Sequence, residues 1–144
     1  MLFLFFQLLN YCTILQGCFC LTEPQSGSDA SDLRTQATKV ERINPLTKKR
    51  EVGYTITGSK RWIGNGLSSE VFVVWARNMS LSGNPVMGFI VQQSHQQHEH
   101  AIRTSKIEGK VSMRMLQNAN VEFDDAWCPD ANVMYDHGKL SWKC

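Results

Sequence analysis

No surplus of either charge marks this chain. Its 15 Lys and Arg stand against 13 Asp and Glu, a formal net charge of +2, so no global field directs it to nucleic acid. No Cys-x-x-Cys pair occurs among its five cysteines, Cys12, Cys18, Cys20, Cys128 and Cys144, which by number and spacing form neither a disulfide framework nor a zinc site. Buried or idle thiols fit that pattern, and extended backbone would point Cys18 and Cys20 to one face. Proline (4) and glycine (10) are too scarce for a low-complexity chain. No apolar run reaches the roughly 20 residues of a membrane span. Charge is absent from Met1 to Thr22, where Leu2-Phe3-Leu4-Phe5-Phe6 and Leu8-Leu9 resemble the core of a signal peptide. The basic residue that normally precedes such a core is missing. A signal, a packed helix without its partner and a mispredicted first exon all remain open for that run.

What is present is enough apolar sequence, 42%, for one core in 144 residues. A site built at a junction between several domains would exceed this length. Basic residues concentrate from Arg34 to Arg61, eight against the acidic Glu41 and Glu51. No interleaved aromatics turn this stretch into a nucleic-acid face, and Lys48-Lys49-Arg50 after Asn44-Pro45 reads as a solvated loop. Asn78-Met79-Ser80 has the form of a glycosylation sequon, which matters only in a secreted chain.

From residue 22 onward the pattern is of strands. Arg34 to Val40 alternates, Val52 to Thr57 places Val52, Tyr54 and Ile56 on one side, and Asn120 to Phe123 alternates again. Val71 to Ala76 is continuous and reads as a strand buried on both faces, with Val86 to Val91 similar. Gly58, Asn65-Gly66, Ser82 to Pro85 and Glu108-Gly109 supply turn chemistry. No amphipathic helix of three turns follows residue 22; Met113, Met115 and Leu116 suit one turn or the core. The expected fold is all-β, an antiparallel barrel or sandwich with short non-β flanks.

Two segments carry chemistry. Leu21-Thr22-Glu23-Pro24-Gln25-Ser26-Gly27-Ser28-Asp29 combines a fixed backbone at Pro24, a permissive one at Gly27 and several short polar side chains. Such a loop cradles an electron-rich heterocycle or a phosphate, or is an ordinary connection. Gly58-Ser59-Lys60-Arg61-Trp62-Ile63-Gly64-Asn65-Gly66 sets a Trp between turn signals, as core or as a face for a planar ligand. His95, His98 and His100 are candidate metal ligands without an evident partner, and no metal is expected.

Together these segments resemble the acyl-CoA dehydrogenase and acyl-CoA oxidase family, in its middle β-domain. Leu21 to Asp29 matches a Leu/Val-Thr-Glu-Pro-x-x-Gly-Ser-Asp loop, and Gly58 to Asn65 matches Gly-x-Lys-x-Trp-Ile-x-Asn. Gly88 to Val91 matches Gly-Phe-Ile-Val, while Arg114 and Phe123-Asp124 to Pro129 match the closing strand. The resemblance divides the chain into an apolar flank (1–17), the middle domain (18–133) and a truncated tail (134–144). Arg114 to Asn118 together with Lys60 to Asn65 is most similar to the plant short-chain acyl-CoA oxidase branch, near glutaryl-CoA dehydrogenase.

The resemblance implies FAD as cofactor and acyl-CoA as substrate. In the family a carboxylate base takes the α-proton and the β-hydride passes to the flavin. Phe19, Cys20, Leu21, Thr22, Gly27 and Ser28 would line the flavin, with the Thr22 hydroxyl at its pyrimidine end and Ser28 on the acyl-CoA side. Trp62 would pack on the isoalloxazine, with Ile63 and Gly64 along it. Gly64 departs from the Thr that many dehydrogenases carry there. The family's base lies in a helical domain, so no catalytic residue is assigned, and Glu23 and Asp29 receive no base role. The resemblance further implies a fragment with weak or no FAD retention and no turnover alone. Its possible partners are a full-length paralogue or a family-type homo-oligomer, with no nucleic acid and no membrane. A peroxisomal setting follows the oxidase branch, with a mitochondrial one as the alternative. Ser141-Trp142-Lys143-Cys144 is not a peroxisomal tripeptide.

Overall fold

The structure is a computed structural model that describes residues 16–44 and 47–134. The apolar run at 1–15 and the tail from 135 lie outside the described residues. Eight strands follow one another: β1 (Gly17–Cys20), β2 (Gln36–Ile43), β3 (Arg50–Gly64), β4 (Val71–Asn78), β5 (Val86–Gln92), β6 (Ile102–Lys106), β7 (Asn118–Pro129) and β8 (Val133–Met134). Two short 3-10 turns, Gln93–His95 and Asp130–Asn132, are the helical elements among the described residues. The strands form one mixed sheet in the order β6-β7-β3-β2-β4-β5-β8, with β1 on β4.

The all-β expectation holds, with two parallel pairings added to the antiparallel ones. β4 changes partner along its length. Its first half pairs with β1 in parallel, from Gly17–Val71 to Cys20–Val74. Its last two residues pair in parallel with Gln36 and Ala37 of β2. At that seam Arg77 N–H donates to the Thr35 carbonyl at 2.9 Å, and the Arg77 Nε donates to the Leu33 carbonyl at 2.7 Å. The sheet folds across the seam so that its two halves face each other. Phe72 on β4 meets Phe123 on β7 edge-on at 6.0 Å, and Tyr54 on β3 meets Phe89 on β5 at 5.2 Å. Apolar burial between the halves is the main stabilising term, about 25 cal/mol per Å² removed from water.

Three expectations are corrected. β4 buries only Phe72, Val74, Ala76 and Asn78, while Val71, Val73, Trp75 and Arg77 form a half-buried outer face. The strand lies between the core and a partly open surface, not between two cores. Gly58 is not a turn: β3 runs through it, and a glycine stands there because Thr35 packs where a side chain would be, 2.5 Å from an added Cβ. Met113, Met115 and Leu116 are not core residues but protrude, with Met115 96% exposed. Lys110 Nζ holds that loop by donating to the carbonyls of Met113 and Leu116 and to Asn118 Oδ1.

Asn78 is fully buried, with Nδ2 3.3 Å from the Met87 sulfur and Oδ1 accepting from Ser80 N–H at 3.0 Å. Glycosylation of the folded chain at this sequon is therefore excluded. The exposed ion pairs are peripheral. Arg103 contacts Glu122 at 3.3 Å and Asp124 at 3.5 Å with all three side chains more than half exposed. Arg103→Ala is expected to change stability by less than about 1 kcal/mol in urea denaturation.

Candidate functional site

β3 and β7 pair out of step at two places, and both irregularities set side chains. Between Ile56 and Gly58 on β3, Thr57 faces Asp124 and Asp125 on β7. Asp125, at φ 56°, takes the strain of this bulge. Between Lys60 and Ile63 the extra residue is on β3, where Arg61 and Trp62 together oppose Asn120. Strict alternation from Tyr54 and Ile56 through Lys60 would turn Trp62 inward. The bulge, with Trp62 at φ 63°, reverses that phase. Trp62 points outward at 50% exposure and Ile63 turns into the core at 2%.

The bulge is fastened to the Thr22–Asp29 loop. Arg61 N–H donates to the Thr22 carbonyl at 2.8 Å. Beneath it lies an ion pair that the sequence reading did not identify. Lys60 is entirely buried, and its ammonium donates to Glu23 Oε1 at 2.8 Å, the Trp75 carbonyl at 2.7 Å and the Leu21 carbonyl at 3.1 Å. Glu23 Oε1 also accepts from the backbone and hydroxyl of Thr35. Its Oε2 accepts from Arg34 N–H at 2.7 Å and Gln25 Nε2 at 2.6 Å. Every donor and acceptor of the pair is thus occupied, the condition for holding two charges inside a protein. Lys60 accordingly does not belong to the solvated basic stretch.

Burial works to raise the Glu23 carboxyl, but the Lys60 ammonium, Thr35 and Arg34 outweigh it and hold it below the ordinary carboxylate value. Burial pulls the Lys60 ammonium down, against the pull of Glu23. A depressed carboxylate contributes stability above its unfolded-state value of 4.5 and loses it as pH falls through the lower folded value. The wild-type chain is therefore expected to lose stability in acid below pH 4.5, and Glu23→Gln to flatten that part of the profile. Urea midpoints measured between pH 6 and 3 check this.

The structure brings Leu21 and Thr22 to the Trp62 bulge. Thr22 is half-buried, and its hydroxyl has no hydrogen-bond partner among the described residues. Gly27 and Ser28 sit further out on the exposed loop, which is closed by Ser26 Oγ donating to the Asp29 carbonyl at 2.6 Å. An added Cβ at Gly27 or Gly64 would meet nothing within 4 Å, so neither glycine is required by packing within the chain. Phe19 is 57% exposed on the outer face of β1, 6.1 Å from the Trp75 ring. Cys20 and Ile63 point into the core and offer a ligand only backbone. Arg61 lies over the Trp62 ring at 5.6 Å.

These residues make an open wall. Two clefts of about 370 and 380 Å³, at Lys106–Arg114 and at Glu70–Ser94, include none of them. Neither nearby carboxylate is placed as a base. Glu23 is consumed by its five donors, and Asp29 is held ionised by Ser31, below its ordinary value. His95 is partly buried while His98 and His100 are exposed, and no group of three metal-ligating side chains occurs among the described residues.

Residues 18–126 match the family described as acyl-CoA dehydrogenase, middle domain. The human mitochondrial very long-chain specific acyl-CoA dehydrogenase is 32% identical over 128 residues, 85% of this chain and 18% of the relative. A glutaryl-CoA dehydrogenase crystal structure from Mycobacterium smegmatis superposes at TM-score 0.65 with 32% identity, covering 81% of this chain and 26% of that one. A glutaryl-CoA dehydrogenase from the same organism, in complex with FADH2, superposes at TM-score 0.67 with 26% identity over 87% of this chain and 28% of that one. The chain thus spans less than a third of each of these relatives.

Proposed function

The chain belongs to the acyl-CoA dehydrogenase family through its middle domain, and from that premise we propose that it forms the β-wall of a flavin site for α,β-dehydrogenation of acyl-CoA. The observation that carries this is the β3 bulge, which turns Trp62 out of the core and ties Arg61 N–H to the carbonyl of Thr22, whose hydroxyl has no partner among the described residues. Bound FAD would supply the hydride acceptor. Trp62 offers a flat apolar face to a planar ring, and Thr22 offers a donor to a ring edge that gains charge on reduction. Open space over Gly27 and Gly64 admits a ligand close to backbone. Phe19, Leu21 and Ser28 extend the wall, with Ser28 on the acyl-CoA side; Cys20 and Ile63 contribute backbone.

The FADH2 complex of the glutaryl-CoA dehydrogenase supports FAD as the cofactor. The dehydrogenase names of the relatives support dehydrogenase chemistry, and Gly64 is what remains for the oxidase branch. The mitochondrial name of the human relative supports a mitochondrial setting over a peroxisomal one. No base is offered by the wall itself, so the chain alone is expected to bind FAD weakly and not to turn over. Adding butyryl-CoA to the FAD-loaded chain should leave the flavin spectrum unbleached; stoichiometric bleaching would overturn the claim of inactivity.

A second reading is a non-catalytic module that docks to a full-length paralogue or to its own kind. Val111, Met113, Met115 and Leu116 favour it, since they protrude on a loop that Lys110 holds in shape. Co-purification with a full-length homologue, lost when Met115 and Leu116 become serine, separates this reading from the first.

A further inference from the structure

β1 brings two thiols together under the Thr22 loop. Its parallel pairing with Phe72 and Val74 points both Cys18 and Cys20 inward, and their sulfurs lie 3.6 Å apart. Cys18 is 7% exposed and Cys20 is fully buried, and neither is in a disulfide. We propose that Cys18 and Cys20 form a preorganised dithiol site for a soft trivalent Lewis acid, specifically an organoarsenic(III) compound.

The geometry selects that ligand class. Two sulfurs bonded at about 2.3 Å to one pyramidal trivalent centre, at an angle of about 100°, stand roughly 3.5 Å apart, close to the 3.6 Å already present. A closed zinc site needs four ligands, and no group of three metal-ligating side chains occurs among the described residues. An acceptor that needs only two thiolates, its third valence filled by its own carbon, fits. Direct disulfide formation fits less well. Residues two apart on an extended strand are about 6.6–6.8 Å apart at Cα, the upper end of the usual disulfide range. An inserted atom avoids that contraction.

The two thiols are not equivalent. The hydrogen bond between them draws Cys18 down and pushes Cys20 up. Cys18 therefore attacks first and Cys20 closes the ring. In balance, an arsenic(III) oxide R–As=O and two thiols give a cyclic R–As(S–)₂ and one water. Two As–S bonds form, the oxo oxygen leaves with both thiol protons, and arsenic stays trivalent. Entry requires the opening of β1, a four-residue strand, from its pairing with β4.

The test treats the native 144-residue chain, in a Cys12→Ser, Cys144→Ser background, with phenylarsine oxide. One phenylarsenic unit per chain is expected, located on the proteolytic fragment ending at Arg34, the first basic residue. A dithiol should remove it and a monothiol should not. Either Cys18→Ser or Cys20→Ser should weaken uptake by about 100-fold or more, since the second bond is intramolecular, whereas Cys128→Ser should not. Near-UV circular dichroism identifies a variant that fails to fold; the fragment assignment in the parent chain then decides alone. An adduct on Cys128, uptake that persists in the Cys18→Ser, Cys20→Ser double variant, or labelling only after denaturation would overturn the proposal. The readout is arsenic uptake by the flavin-free chain, so failure of this proposal is distinguishable from failure of the flavin reading.

Discussion

Replacing Glu23 by alanine is expected to remove a large share of the chain's stability. The substitution strands the Lys60 ammonium, 0% exposed, with only the Leu21 and Trp75 carbonyls around it. Breaking a buried pair from one side costs about 3–5 kcal/mol, against a total of about 5–15 kcal/mol for a domain. Thr35 and Arg34 would also lose their acceptor, releasing the loop that positions Thr22. Lys60→Met should cost less, because Glu23 keeps four of its five donors, from Gln25, Arg34 and Thr35, although it loses the ammonium. The double variant Glu23→Gln, Lys60→Met should be more stable than the sum of its parts implies, since neither charge remains buried. Urea denaturation of the wild type, Glu23→Gln, Lys60→Met and the double variant completes the cycle. A loss below about 1 kcal/mol for Glu23→Ala would place the pair with ordinary surface bridges.

The second large effect is functional. Trp62→Ala should weaken FAD binding by about tenfold to a hundredfold, the equivalent of the roughly 1–3 kcal/mol lost when a stacking aromatic is removed. Stability should change little, because the side chain is half exposed and the Arg61 guanidinium over its ring is itself at the surface. Thr22→Val, which keeps the shape and deletes the unpartnered hydroxyl, should weaken binding less, by the worth of one hydrogen bond, about 0.5–1.5 kcal/mol. Equal losses of stability and binding in Trp62→Ala would instead mark a packing residue.

The strand content was legible because alternation and turn residues agree along most of the chain. The Thr22–Asp29 and Gly58–Asn65 segments were legible as motifs. Their physical division of labour was not. Glu23 and Lys60 lie 37 residues apart, and nothing local reveals that two charges meet inside. One signal was available: the period of two that buries Tyr54 and Ile56 carries through to position 60, so a lysine there stands at a core position. The phase reversal at Arg61–Trp62 was not available, because a bulge depends on the opposing strand, and Asn120 is 58 residues further on. The same holds for β4, whose continuous apolar run resembles a doubly buried strand. Only the sheet topology shows that one of its faces is left half open.

The central claim is that the wall around Thr22 and the Trp62 bulge faces the flavin. Amide and indole resonances of the folded chain, followed by NMR during titration with FAD, test it most directly. The account predicts saturable shifts clustered at Phe19, Leu21, Thr22, Gly27, Trp62 and Gly64. No shifts at millimolar FAD, or shifts centred on the Lys106–Arg114 cleft, would contradict it.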